Sequence, residues 1–290
     1  MSRAIARPVE IASVKPKIRQ FLTDIRLKTG SLRVSPDFII IGGQRCGTTS
    51  LYNTLVGNLG IAPALKKEVH FFDINFNKGM SWYKAHFPTY LYKFGQRASR
   101  RTFITGEATP YYLFHPNVPG RVAASFPRIK LIAMLRNPVD RAYSHYHHEV
   151  RKGFEHLSFE EAIEREQERL SGEISKMQTD ENYFSFNHRH FSYLSRGVYV
   201  DQLRAWRTFF PEEQILVLRS EDFYSDSRAT LRKIFDFLKM PAWRLSDQAD
   251  YPAYPYSRMN ADVRKYLTDY FRPHNQELYE YLGVDLGWDR

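Results

Sequence analysis

The 290-residue chain has a single cysteine, Cys46, so no disulfide can form within it and a small disulfide-stapled scaffold is excluded. Long apolar runs are also missing. Stretches such as Phe38–Ile41 and Leu131–Leu135 fall far short of the ~20 residues that cross a bilayer. The N-terminus has neither the continuous apolar stretch nor the small-residue cleavage site of a secretory signal, and with the lone cysteine this predicts a cytoplasmic location. Gly-x-Ser-x-Gly and Gly-x-Gly-x-x-Gly are absent, which removes sequence support for a serine hydrolase or a dinucleotide oxidoreductase. There is no repeat and no low-complexity tract. Hydrophobic residues at 43% and charged residues at 26% fit a folded globular chain able to bury a core.

Positive charge is present in excess, with 42 basic against 32 acidic residues, but it is unevenly spread. Residues 1–34 hold eight basic residues against Glu10 and Asp24, a net +6 that leaves only +4 for the rest. A nucleic-acid partner is therefore not indicated by the overall charge. Ile11, Val14, Ile18, Phe21, Leu22 and Ile25 recur at helical spacing with basic flanks, interrupted by Pro16. The simplest organisation is a basic N-terminal arm, 1–34, followed by one domain, 35–290. The arm suits docking on its own domain, and peripheral membrane contact through residues 1–34 is the competing use.

Phe38–Ile41 reads as a fully buried strand ended by Gly42 and Gly43, and Leu51, Leu55 and Leu59 share a helical face stopped at Gly60. Further strands are expected at Phe103–Gly106, Ile129–Leu135 and Ile215–Leu218. Helices are expected at Phe159–Leu170, opened by a Ser158/Glu161 capping box and solvated, and at Gly197–Phe210, Ser227–Leu238 and Asn260–Phe271. This alternation predicts an α/β fold with a parallel sheet.

Between the first strand and helix, Gly42-Gly43-Gln44-Arg45-Cys46-Gly47-Thr48-Thr49 has the spacing of a phosphate-binding loop, whose amides at the helix start would face an anion. Nucleotide triphosphatases need Lys where this chain has Thr48, and their metal-binding Asp is replaced at the end of a later strand by Arg136-Asn137-Pro138. A kinase or ATPase is thus disfavoured. Arg136 would instead add a second anion site at the carboxyl ends of the strands, with Ser144 as a hydroxyl donor. A cysteine phosphatase would need Arg where Tyr52 stands. His145, His147, His148, Glu149, His188 and His190 lack the helical two-His spacing of a metal site, and no metal is expected.

Together, Phe38–Leu51, Lys67–Asp73, Gly106–Tyr112, Lys130–Tyr146, Ser195–Tyr199 and Phe210–Leu218 resemble the sulfotransferases that use 3′-phosphoadenosine 5′-phosphosulfate (PAPS), specifically the heparan-sulfate type and its bacterial relatives. The resemblance implies a P-loop-like three-layer α/β/α fold with a central, mainly parallel sheet. It implies that Arg45, Cys46, Gly47, Thr48, Thr49 and Ser50 bind the 5′-phosphosulfate, and that Arg136 and Ser144 bind the 3′-phosphate. Tyr199 joins the nucleotide side. Glu68 is the implied base, His70 stands beside it, Arg45 stabilises the leaving group, and the acceptor is a hydroxyl on a carbohydrate or glycolipid, with a small-molecule or lipid alcohol as the alternative. A non-catalytic nucleotide-binding or membrane-surface scaffold is the reading of another class.

Three departures stand out. Arg45 occupies the place of a usual Lys and can stabilise charge without readily giving up a proton. Ala108 occupies the place of an acceptor-side Lys. The family's Lys-Gly-Arg nucleotide lid is missing, and Arg258 in the loop after Tyr254 is the nearest counterpart.

Overall fold

A computed structural model describes residues 24–98, 102–241 and 257–289. Its centre is a five-stranded, wholly parallel sheet, β1 (Phe38–Gly42), β2 (Ile61–Pro63), β3 (Ile104–Ala108), β4 (Lys130–Leu135) and β5 (Ile215–Arg219), in the order β2-β3-β1-β4-β5. Five helices matter most for the site and the layers beside it. They are α1 (Thr48–Val56), α2 (Pro138–Arg151), α3 (Tyr199–Arg207), α4 (Ser227–Phe237) and α5 (Ala261–Leu282).

The alternation of side chains along each strand builds two separate cores. Phe38 and Ile40 of β1, with Ile132 and Met134 of β4, pack against Leu51, Tyr52 and Leu55 of α1 and Leu231, Ile234 and Phe235 of α4. Ile39, Ile41, Leu131, Ala133 and Leu135 face the opposite way, onto Val139 and Ala142 of α2, Leu203 and Trp206 of α3, and Leu267 and Phe271 of α5. Both faces of the sheet are therefore covered. The sheet is parallel, as the strand and helix pattern predicts, and the fold is the three-layer α/β/α arrangement that the resemblance implies.

Several local expectations change. β2 is a three-residue edge strand whose Pro63 and short length leave no periodic signal. The charged stretch from Phe159 divides into Phe159–Glu164 and Glu166–Leu170, and it is not simply solvated: Glu166 is buried and accepts hydrogen bonds from the Leu194 and Ser195 amides and the Ser195 hydroxyl. The capping box is present, with Ser158 and Glu161 satisfying each other's amides. α5 runs past Phe271 to Leu282 in spite of Pro273. Pro273 and Asp269, whose carbonyl loses its donor, are both solvent-exposed, while Leu267, Phe271, Asn275 and Leu278 keep one buried stripe through the break.

The described end of the basic arm is fastened to the domain. Arg26 donates to the carbonyls of Ala85 and Phe87 at 2.7 and 3.1 Å, and Arg33 donates to that of Phe87 at 2.8 Å.

Candidate active site

Because β1 lies between β3 and β4 and all three are parallel, the loops after them emerge side by side at the carboxyl edge of the sheet. The chain turns toward β2 and β3 on one side of β1 and toward β4 and β5 on the other, so this edge is a topological switch point, where open α/β sheets bind ligands. All but four of the expected site residues lie on the loops after β1 and β4 and on the first two turns of the helices that follow them, while Glu68 and His70 lie on the segment between β2 and β3. Tyr199 comes in from α3, and Arg258 lies just beyond an undescribed segment.

The first loop is anchored by the Gly43 amide, which donates to the Met134 carbonyl of β4 at 2.6 Å. Gly47 caps α1 at φ 89°, and because glycine has no side chain, α1 has no side-chain cap. The amides of Thr48, Thr49 and Ser50 thus begin a helix whose positive end is open to an anion. A Cβ on Gly47 would lie 2.8 Å from the Tyr224 hydroxyl, and that hydroxyl also donates to Ser50 Oγ at 3.3 Å. Tyr224 is thereby a loop neighbour that the sequence did not single out.

Arg45 crosses from this loop to α2. Its Nε donates to Ser144 Oγ at 3.1 Å, and Arg136 Nη1 donates to the Arg45 carbonyl at 3.3 Å. The two cationic positions expected at opposite ends of a nucleotide are therefore contiguous, joined through Arg45. Asn137 starts α2 by accepting from the Val139 and Asp140 amides, and its own amide donates to Glu221 at 2.9 Å, which fixes the turn that carries Arg136.

Cys46 and Tyr199 are buried beneath this surface. The Tyr199 hydroxyl donates to the Arg136 carbonyl at 2.8 Å and lies 3.7 Å from Cys46 Sγ, so both side chains brace the loops from below. Burial pushes the Cys46 thiol up, despite Arg141 nearby, and keeps it in its inert neutral form. Arg258 is exposed, and its neighbour Ser257 lies 3.2 Å from the Tyr143 hydroxyl, one residue before Ser144. Tyr254 to Tyr256 lie outside the described residues.

The second group sits on the loop before β3. The Glu68 amide donates to the Ala108 carbonyl at 3.0 Å, holding that loop over the end of β3. Glu68 Oε1 takes the Lys67 ammonium at 2.5 Å, and Oε2 is 3.4 Å from His70 Nε2. The other ring nitrogen, Nδ1, lies 2.6 Å from Asp73, whose side chain is fully buried. Burial acts to raise the Glu68 carboxyl, but His70 and Lys67 outweigh it and hold the group below the usual carboxylate range. Burial alone would lower His70; its bonds to Asp73 and Glu68 instead raise it to about 9. Asp73 ends the Lys67–Asp73 motif, and its spacing of three residues from His70 is its only signal in the sequence.

Behind this loop, buried Glu107 accepts from the Tyr83, Tyr112 and Thr109 hydroxyls at 2.7, 3.2 and 2.6 Å, and the Tyr112 hydroxyl in turn accepts from the Phe71 amide at 2.8 Å. Arg189 arrives from the short helix Phe186–His190, with Nη2 3.4 Å from His70 Nε2. Nothing in the sequence near Arg189 signalled this.

Among the described residues, the non-glycine residues at positive φ are Arg45, Glu68, His70 and Lys239. Three of these four bear the side chains that converge on the carboxyl edge, where backbone strain is commonly kept for function. The histidines of α2 do not join them as a metal site. His145 and His190 turn to buried Glu149, at 3.4 and 2.8 Å, and no group of three or more potential ligands is arranged for a metal among the described residues.

Comparison with known proteins bears on the family and the fold. The sulfotransferase domain family matches residues 35–271. A membrane-associated sulfotransferase, kil1, of Dictyostelium discoideum is 28% identical over 89% of the chain and 68% of its own length. The mouse heparan sulfate glucosamine 3-O-sulfotransferase 3B1 is 30% identical over 88% of the chain and 65% of its own length, so the chain spans about two thirds of these relatives. The crystal structure of a sulfotransferase from Alicyclobacillus acidocaldarius superposes with a TM-score of 0.66 at 30% identity, covering 89% of this chain and all of that one. With its glycine loop, Arg-Asn-Pro turn and Glu68–His70–Asp73 group on one edge of such a sheet, this chain belongs to the sulfotransferase family.

Proposed function

We propose that the protein moves the sulfuryl group of PAPS to a hydroxyl of an acidic carbohydrate or glycolipid, with Glu68 as the base. The observation that carries this reading is the pairing, on one sheet edge, of an anion cradle (the α1 amides, Arg45, Arg136 and Ser144) with an ionised acid held by His70. The cradle fits a nucleotide with two phosphate groups, because it offers main-chain donors and fixed cations. In this reading Ser144, on the second turn of α2, takes the 3′-phosphate and the α1 amides take the 5′-phosphosulfate.

In the step itself, the acceptor oxygen forms a bond to sulfur while the bond from sulfur to the 5′-phosphate oxygen breaks. The bonding pair leaves on that phosphate oxygen, giving 3′-phosphoadenosine 5′-phosphate (PAP), and the acceptor proton passes to a Glu68 oxygen. Arg45 and the α1 amides stabilise the charge that grows on the leaving oxygen. A depressed pKa makes Glu68 a modest base but keeps it ionised, and alignment of the hydroxyl with the sulfur supplies much of the remaining rate. His70 orients Glu68, and Asp73 orients His70.

The acceptor class rests on Arg189. Although Ala108 stands where an acceptor-side lysine is expected, Arg189 brings a cation to the same loop, beside a His70 that is itself protonated at neutral pH. Among the described residues Arg189 has no carboxylate partner, which supports an anionic group on the acceptor near the reacting hydroxyl. The saccharide sulfotransferase among the relatives supports a sugar. Glu68→Gln should abolish transfer from labelled PAPS while leaving PAP affinity near that of the parent. Unchanged transfer would remove Glu68 as the base, and failure of the parent chain to bind PAP would remove the donor.

A further inference from the structure

We propose that a patch at the β2–β3 edge, centred on the helix Tyr90–Ala98, is a docking surface for an anionic lipid bilayer. That helix turns Leu91 and Phe94 outward, 82% and 71% exposed, one turn apart on one face, with Tyr90 beside them. An antiparallel bridge between Arg33 and Thr89 brings Leu32, 61% exposed, alongside the start of the helix, so the apolar residues form one surface drawn from two segments. On the inner side Tyr92 packs edge-on against Phe103 at 5.6 Å, and the Tyr92 amide donates to Thr89 Oγ1 at 3.2 Å, which fixes the helix on the domain. A contiguous exposed patch of large apolar side chains on a settled element marks a contact surface.

Charge identifies the occupant. From Ile74 to Gly106 the sequence holds Lys78, Lys84, Lys93, Arg97, Arg100 and Arg101 and not one acidic residue, a net +6. Residues 1–34 carry another +6, and the chain as a whole carries +10, so everything outside these two segments is −2. The two sequence segments from which the patch residues come therefore account for the whole net positive charge of the chain. Exposed Leu91 and Phe94 on the helix that carries Lys93, in a segment with no acidic residue, match a headgroup layer, where the apolar side chains enter the acyl boundary and the cations remain among the phosphates. A polyanion such as nucleic acid would use the charge and leave Leu91 and Phe94 in water.

The test is flotation of the full chain with vesicles of phosphatidylcholine alone and of phosphatidylcholine mixed with phosphatidylglycerol. The parent should float with the mixed vesicles only, and less as salt is raised. Leu91→Ser/Phe94→Ser should partition about tenfold more weakly, because two apolar side chains no longer enter the interface. Lys93→Glu should also weaken binding, with the loss fading at high salt. Both sites are on the surface, so melting temperatures near that of the parent would show intact folding. Failure of the parent to float with mixed vesicles would overturn the proposal, as would a double variant that floats as well as the parent. A parent dimer that the double variant converts to monomer, with no flotation of either, would overturn it in favour of a second copy. Binding of duplex DNA that competes with vesicles and is untouched by the double variant would overturn it in favour of charge alone.

Discussion

Replacing His70 with Asn tests the ionic relay through the pH dependence of stability. Asn tolerates the left-handed backbone at this position, φ 55°, so the substitution removes the imidazole with little added strain. In the native protein the His70 pKa is about 9 against an ordinary 6.5, raised by Asp73 and Glu68 against the opposing effect of burial. A group whose folded pKa is raised stabilises the fold fully below its unfolded value, and the contribution disappears as pH climbs through the folded one. The relevant window is therefore pH 6.5 to about 9. A gap of this size, at 1.36 kcal/mol per unit, corresponds to about 3 kcal/mol. Urea denaturation of both proteins at about pH 6 and about pH 10 should show the parent's advantage over His70→Asn shrinking by about that amount at the higher pH. Other groups that titrate in the range cancel in the comparison. An advantage that is the same at both pH values, or an imidazole that titrates near 6.5 by NMR, would refute the Glu68–His70–Asp73 coupling.

Two further substitutions address the two sides of the site. Gly47→Ala forces a Cβ toward the Tyr224 hydroxyl at a φ that costs about 1–2 kcal/mol for an L-residue, so calorimetry should find weaker PAP binding together with a lower melting temperature. Unaltered PAP affinity would show that the loop does not hold the nucleotide. Arg189→Ala should raise KM for an acidic saccharide about 10–100-fold, the worth of a hydrogen bond to a charged group, while KM for PAPS stays fixed. An equal rise for a neutral acceptor alcohol would show that Arg189 does not read acceptor charge.

The parts of the fold that were legible are those in which a local rule and the tertiary structure agree. Phe38–Ile41 is a continuous apolar run because β1 is buried on both faces, and Gly42, Gly43 and Gly47 mark the loop because Gly47 must take a positive φ. The Arg-Asn-Pro turn was readable because Asn137 and Pro138 are also helix-start residues. Where the sequence was silent, the cause lies in distant contacts. Glu68 and His70 hold left-handed backbone without a glycine, an arrangement sustained by bonds to Ala108 and by Tyr112 acting through Phe71. Arg189 and Glu166 read as ordinary surface charges, and only the packing of residues 159–196 turns one toward His70 and buries the other beneath the Leu194–Ser195 turn. The continuation of α5 past Pro273 was hidden because local sequence reports the lost hydrogen bond and not the buried stripe that outweighs it.

The central claim is that the loops after β1 and β4 grip one nucleotide phosphorylated at both ends, and titration calorimetry with PAP on the parent and on Arg136→Ala tests it most directly. Saturable binding of one PAP per chain, much weakened in Arg136→Ala and not reproduced by ATP with magnesium, is the result expected. No heat with PAP, or tighter binding of ATP with magnesium, would contradict the account.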